Sequence, residues 1–168
     1  LAGADKDNYI KPVDKVYTDG VITAKQLTIA DPTITKSKEY DKTLTANVTA
    51  GTLSNVVKVG SATDAVTASA VGTYSTSIAG TSKAITVVYT LAGADKDNYI
   101  KPVDKVYTDG VITAKQLTIT AKPHTILYNG TNYSGGNGVN LTEMASGESI
   151  SNLTGTLNYT GTSQGAKN

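Results

Sequence analysis

Cysteine, arginine, tryptophan and phenylalanine are all missing from this chain of 168 residues, and histidine and methionine occur once each. Without cysteine there are no disulfides, thiolate metal sites or thiol nucleophiles. Without arginine, the planar fork favoured for bidentate phosphate and carboxylate recognition is gone. A charge surplus is missing too: fifteen lysines stand against fourteen acidic residues, a net charge of +1. That balance argues against nucleic acid or an anionic membrane as partner. No apolar run approaches the ~20 residues a membrane helix needs, so membrane insertion is not expected. His124 has no second imidazole or cysteine to share a zinc ion with, and no serine lies in a nucleophile-elbow sequence. No enzyme activity and no cofactor are expected.

Threonine is plentiful, with 27 residues, and valine, isoleucine and tyrosine supply most of the other strand-forming content. These side chains suit a pleated, half-buried surface. The dominant feature is a repeat: residues 1–29 and 91–119 are identical, at a period of 90 residues. That period exceeds helical-solenoid repeats and matches one compact β domain. The reading divides the chain into 1–29, the C-terminal part of a preceding repeat; 30–119, a complete repeat; and 120–168, a different and incomplete module. Opening in mid-motif without an initiator methionine, the chain is expected to be an excerpt.

Period-two alternation predicts strands at Lys83 to Leu91, with Ile85, Val87, Tyr89 and Leu91 on one face, and at Val111 to Ile119, Val66 to Tyr74 and Leu44 to Val48. Leu53 to Val59 reads as a short strand buried on both faces. Asp19-Gly20, Asp109-Gly110 and Asn129-Gly130 are pairs that hairpin turns favour, and Ala50-Gly51, Gly60-Ser61 and Gly80-Thr81 mark other loops. Thr142–Ser149 is the one stretch with a weak helical signal. Many short strands at intervals of about 8–12 residues give an all-β class, with tandem antiparallel, Ig-like β-sandwiches as the expected fold. A β-grasp arrangement with one short helix is the alternative.

Asp5, Asp7 and Asn8 recur as Asp95, Asp97 and Asn98. This spacing could offer oxygen ligands to Ca²⁺, but the glycine and distal glutamate of an EF-hand loop are missing. The expected reading is an Asx-type turn in which Asp95 and Asn98 bond local backbone N–H groups. Tyr40, Tyr74, Tyr89, Tyr99 and Tyr107 are either a sugar-stacking platform or, as expected in a chain without Phe or Trp, the core aromatics, with hydroxyls reaching the surface or a carbonyl. N-x-S/T sequons stand at Asn47, Asn129, Asn132, Asn140, Asn152 and Asn158, a pattern that threonine-rich composition alone produces. A Lys–Asn isopeptide cross-link would need its groups together in an apolar core, where charges are usually avoided.

Glu39-Tyr40-Asp41-Lys42-Thr43, then Gly51-Thr52-Leu53, the run Leu91-Ala92-Gly93-Ala94-Asp95-Lys96-Asp97-Asn98-Tyr99 and the closing Ile112-Thr113-Ala114-Lys115-Gln116-Leu117-Thr118 together resemble the YDG-type repeat of filamentous-haemagglutinin-like bacterial adhesins. Lys42 replaces the glycine that names that family. Leu153 to Ala166, reading LTGTLNYTGTSQGA, is similar to the MBG-type module that accompanies such repeats. The resemblance implies a secreted, cell-surface location and service as a stalk segment that spaces an adhesive tip from the cell. Its expected partners are the neighbouring repeats of the same chain. Two alternatives remain open: repeats that bind host glycan or matrix, and repeats that self-associate with like chains in a biofilm.

Overall fold

The structure, a computed structural model, describes residues 1–128, 130 and 136–155. Its strands are β1 (Lys25–Gln26), β2 (Thr28–Ile29), β3 (Thr33–Thr35), β4 (Ser37–Glu39), β5 (Thr45–Thr49), β6 (Leu53–Ser54), β7 (Lys58–Val59), β8 (Ala62–Thr63), β9 (Thr67–Tyr74), β10 (Gly80–Ala92), β11 (Tyr99–Ile100), β12 (Lys105–Thr113), β13 (Thr118–Ala121) and β14 (Val139–Thr142). Three short 3₁₀ turns are the only helical elements among the described residues. The all-β class expected from the alternation is what forms.

Six strands make one sheet in the order β3-β5-β9-β10-β12-β4. Its two outer members are consecutive in the chain, separated only by Lys36. β3 pairs antiparallel with β5, while β4 pairs parallel with β12. One segment, residues 33–39, therefore holds both edges, and the sheet curls into a near-barrel. Closure removes the unpaired edges that a flat sheet would present. Inside lie Ala46, Tyr74, Ile85, Val87, Tyr89 and Ile112, with Ile34, Tyr40, Val48 and Tyr107 packed against them. β10 behaves as its alternation requires: Ile85, Val87 and Tyr89 are buried and Thr86, Val88 and Thr90 are exposed.

The strand at Val111 to Ile119 needs correction. β12 begins earlier, at Lys105, and ends at Thr113; residues 114–117 leave the sheet, and β13 starts anew at Thr118. Asp109-Gly110 is not a hairpin turn but lies inside β12. Opposite Ile85, Lys83 and Gly80 stand Tyr107, Gly110 and Ile112. β12 thus spends three steps where β10 spends two, then two where β10 spends three. These are two compensating bulges, one in each strand. Gly80-Thr81 likewise lies within β10 rather than in a loop.

Residues 53–59 also differ from expectation. They form two separate two-residue strands rather than one buried strand, and Val59 is 75% exposed. Gly60-Ser61 does turn, linking β7 to β8, with Gly60 at φ +62°. Thr142–Ser149 holds the end of β14 and turns, not a helix. Asn129 lies outside the described residues, so the turn expected at Asn129-Gly130 does too.

The identical stretches 1–29 and 91–119 adopt one local structure and two tertiary ones. Both form the same 3₁₀ turn, at Lys6–Asn8 and Lys96–Asn98, after a glycine at φ +112° or +111°. Both also pair at their ends, β2 with β6 and β13 with β14, each antiparallel. Between these points they diverge: residues 11–24 form no strand, whereas residues 105–113 are β12. Ile22 is fully exposed and Ile112 is 1% exposed.

Candidate functional site

Segment 33–39 carries the most elaborate polar cluster. Pro32, Ile34, Lys36, Lys38 and Tyr40 alternate with exposed neighbours and turn inward. Two of those inward positions are lysines, whose ammonium groups stand over aromatic rings. Lys36 Nζ stands 5.1 Å from the Tyr107 ring centre and Lys38 Nζ 5.4 Å from that of Tyr74, within cation–π range. Lys36 Nζ then donates to Asp109 Oδ2 at 2.6 Å, on the β12 bulge. Lys38 Nζ donates to Asp41 Oδ1 at 2.8 Å and to the Thr43 carbonyl at 2.8 Å.

Residues 40–43 form a tight Asx-type turn. Asp41 Oδ1 accepts from the Thr43 backbone N–H and hydroxyl, both at 2.9 Å. The Lys38 ammonium, followed by the Thr43 donors, stabilises the carboxylate and lowers its pKa to about 2. Lys42 sits at φ +69°, a left-handed conformation in which glycine is unstrained.

This turn faces Gly147 and Glu148. The Tyr40 hydroxyl donates to Glu148 Oε1 at 2.5 Å, and Lys42 Nζ donates to the Gly147 carbonyl at 3.0 Å. The Glu148 carboxylate, helped by desolvation, raises the Tyr40 pKa. Lys115 Nζ, on the four-residue link, meets Glu39 at 2.5 Å and is raised above the ordinary lysine value by that bond. Tyr40, Lys115, Leu117, Met144, Ala145 and Glu148 help line a cleft of about 150 Å³ at this join. The contacts link residues 76 to 108 positions apart, and no local signal in the sequence could have found them.

Beyond the link, β13 pairs with β14 as β2 pairs with β6. Thr28 pairs with Ser54 and Ile29 with Leu53; Thr118 pairs with Thr142 and Ile119 with Leu141. The next residue is left-handed in both cases, Asn55 at φ +69° and Glu143 at φ +67°. Its side chain meets the threonine hydroxyl, Asn55 with Thr28 at 3.5 Å and Glu143 with Thr118 at 2.9 Å.

The remaining sequence candidates fall as follows. Asp95 Oδ2 accepts from the Ala65 backbone N–H at 2.7 Å, across the sheet end, rather than capping its own turn locally. Asp97 pairs with Lys96, and the Asn98 backbone N–H bonds the Asp95 carbonyl. Asp95, Asp97 and Asn98 thus sit on one turn, and among the described residues no group of three or more His, Cys, Asp or Glu could hold a metal ion. Tyr74, Tyr89 and Tyr99 are buried and Tyr40 and Tyr107 half-buried, as core aromatics. Their hydroxyls only partly meet expectation. Tyr99 donates to Asp64 at 2.6 Å and accepts from the Val57 N–H, but the hydroxyls of Tyr74, Tyr89 and Tyr107 bond no described group. His124 is exposed, as are Asn47, Asn140 and Asn152 of the sequons; Asn129, Asn132 and Asn158 lie outside the described residues.

The contacts of this site run between distant segments of the chain. Compared with known proteins, residues 23–107 match the YDG domain, from just before β1 into β12. No curated protein and no solved structure matches the chain.

Proposed function

Because this chain belongs to the YDG domain family, we propose that it is a structural repeat segment of a large extracellular bacterial adhesin, a stalk that spaces an adhesive tip from the cell. The observation that carries this reading is the join. Only residues 114–117 separate β12 from β13, and the Tyr40–Glu148 and Lys42–Gly147 hydrogen bonds tie the two sides together. A short, bonded link restricts swing between units, which is what a semi-rigid spacer needs. In this reading the portion from residue 120 onward is an MBG-type module, and its β13–β14 pairing follows the pattern of β2–β6. Each unit serves as one Ig-like, two-layered member of a tandem array on the bacterial surface.

Small-angle X-ray scattering on a fragment carrying several repeats tests the proposal. The expected result is a rod-like profile whose longest dimension grows in proportion to repeat number. A compact, globular envelope overturns it.

A further inference from the structure

Three tyrosine hydroxyls are buried in the near-barrel, those of Tyr74, Tyr89 and Tyr107, and none bonds another described group. A buried hydroxyl without a partner has given up its hydrogen bonds to solvent and gained none in return. Folded cores avoid this: nearly every buried polar atom has a partner, either a protein group or an ordered water. Tyr89 is 1% exposed, so bulk solvent does not supply that partner.

Two of the three hydroxyls belong together. Tyr89 on β10 and Tyr107 on β12 pack into the core from neighbouring strands, with Ile85 opposite Tyr107 and Val87 opposite Lys105. Tyr89 has both Tyr107 and the Lys105 ammonium as electrostatic neighbours, and Lys105 has both tyrosines. Yet no hydrogen bond joins the two hydroxyls to one another or to Lys105 Nζ. These groups are therefore close but farther apart than a direct hydrogen bond spans, a spacing that one bridging water fills. Tyr74 stands apart from them, since its charged neighbour is Asp41.

We propose that the core binds one internal water between the Tyr89 and Tyr107 hydroxyls, beneath the Lys105–Asp31 ion pair. A hydroxyl can donate one hydrogen bond and accept others, so each tyrosine can serve the water in either sense. Lys105 Nζ spends one proton on Asp31, at 2.5 Å, and has another for the water oxygen. That makes three partners, the usual number for a buried water. The water ties β10 to β12 inside the sheet, where the two strands offer each other no direct side-chain hydrogen bond through these tyrosines.

The test uses the full chain. In water-selective NOE and ROE spectra, the ring protons of Tyr89 and Tyr107 are expected to show cross-peaks to water, with the sign that marks a long-lived internal molecule. Absence of these peaks overturns the proposal. Tyr89→Phe and Tyr107→Phe keep the rings and remove one hydroxyl each. Each is expected to raise the unfolding equilibrium constant about five- to tenfold, because the hydroxyl left behind loses its bridge. The double variant is expected to cost no more than the worse single one, since no hydroxyl of the pair is then left unpaired. A single variant as stable as the parent, or more stable, overturns the proposal, because the hydroxyl removed then had no partner. Two effects that simply add in the double variant also overturn it, because they show separate partners. None of these outcomes bears on the scattering test of the stalk.

Discussion

Gly20 and Gly110 hold the same place in two identical stretches, yet a Cβ on each would meet different surroundings. At Gly20 there is nothing within 4 Å, whereas at Gly110 the new atom would stand 2.7 Å from the Lys83 carbonyl and 2.9 Å from the Tyr74 ring. Gly110→Ala is expected to destabilise by ~1–3 kcal/mol, as overpacking does, and Gly20→Ala to stay within ~0.5 kcal/mol of wild type. Chemical denaturation of both variants measures the contrast, and equal effects would refute the bulge geometry. Lys42 presents the opposite case. Its φ of +69° strains a side chain where the family's name supplies glycine. Lys42→Gly is expected to gain ~0.5–1 kcal/mol by relieving that strain, less the exposed hydrogen bond to Gly147. A lower melting temperature would show that the Gly147 contact outweighs the strain.

Among the elements, segment 33–39 depends most on charge. Asp41 has a folded pKa of about 2, below the ordinary carboxylate value of 3.8. A lowered carboxylate contributes stability that is present above the ordinary value and is lost as pH falls through the folded one. Asp31, Asp104 and Asp109 shift in the same direction, each beside a lysine. Melting temperature is therefore expected to hold down to about pH 4 and to drop between there and pH 2. Asp41→Asn is expected to flatten part of that drop. The Asp41 side chain is 52% exposed, so solvent screening keeps the effect near the surface-pair scale of ~1 kcal/mol or less. An unchanged pH profile in Asp41→Asn would count against the turn. The two copies of KVYTDGVIT give a second contrast at this scale. NMR hydrogen exchange, which resolves copies that share identical peptides, is expected to show residues 105–113 protected and residues 15–23 exchanging as in an unfolded chain.

At the scale of the whole molecule, what distinguishes a stalk from a string is the join. Tyr40→Phe removes the hydroxyl that reaches Glu148 but leaves the ring against the core. Unfolding of the six-stranded unit is expected to shift by ~1 kcal/mol or less, the net worth of one hydrogen bond. Backbone relaxation at residues 143–153 is expected to show faster independent motion relative to β10. Unchanged relaxation would mean that the link itself, not the Tyr40 contact, restrains residues 143–153.

The sequence by itself determined whatever depends on near neighbours. Period-two alternation placed β10 and the faces of Ile85, Val87 and Tyr89. Glycine followed by Ala-Asp-Lys-Asp-Asn dictated the same 3₁₀ turn in both copies, with or without packing around it. The absence of Phe and Trp pointed to tyrosine as the core aromatic. Segment 33–39 escaped notice because its inward positions include Lys36 and Lys38, so burial runs in period two while hydrophobicity does not. Asp109-Gly110 read as a turn because the local code for a hairpin and for a bulge is similar, and only the partner strand separates them. Above all, residues 11–24 and 101–114 share every letter and differ in fold. A strand's hydrogen bonds go to other segments of chain, so whether KVYTDGVIT becomes a strand is decided by whether β10 and β4 stand on either side of it.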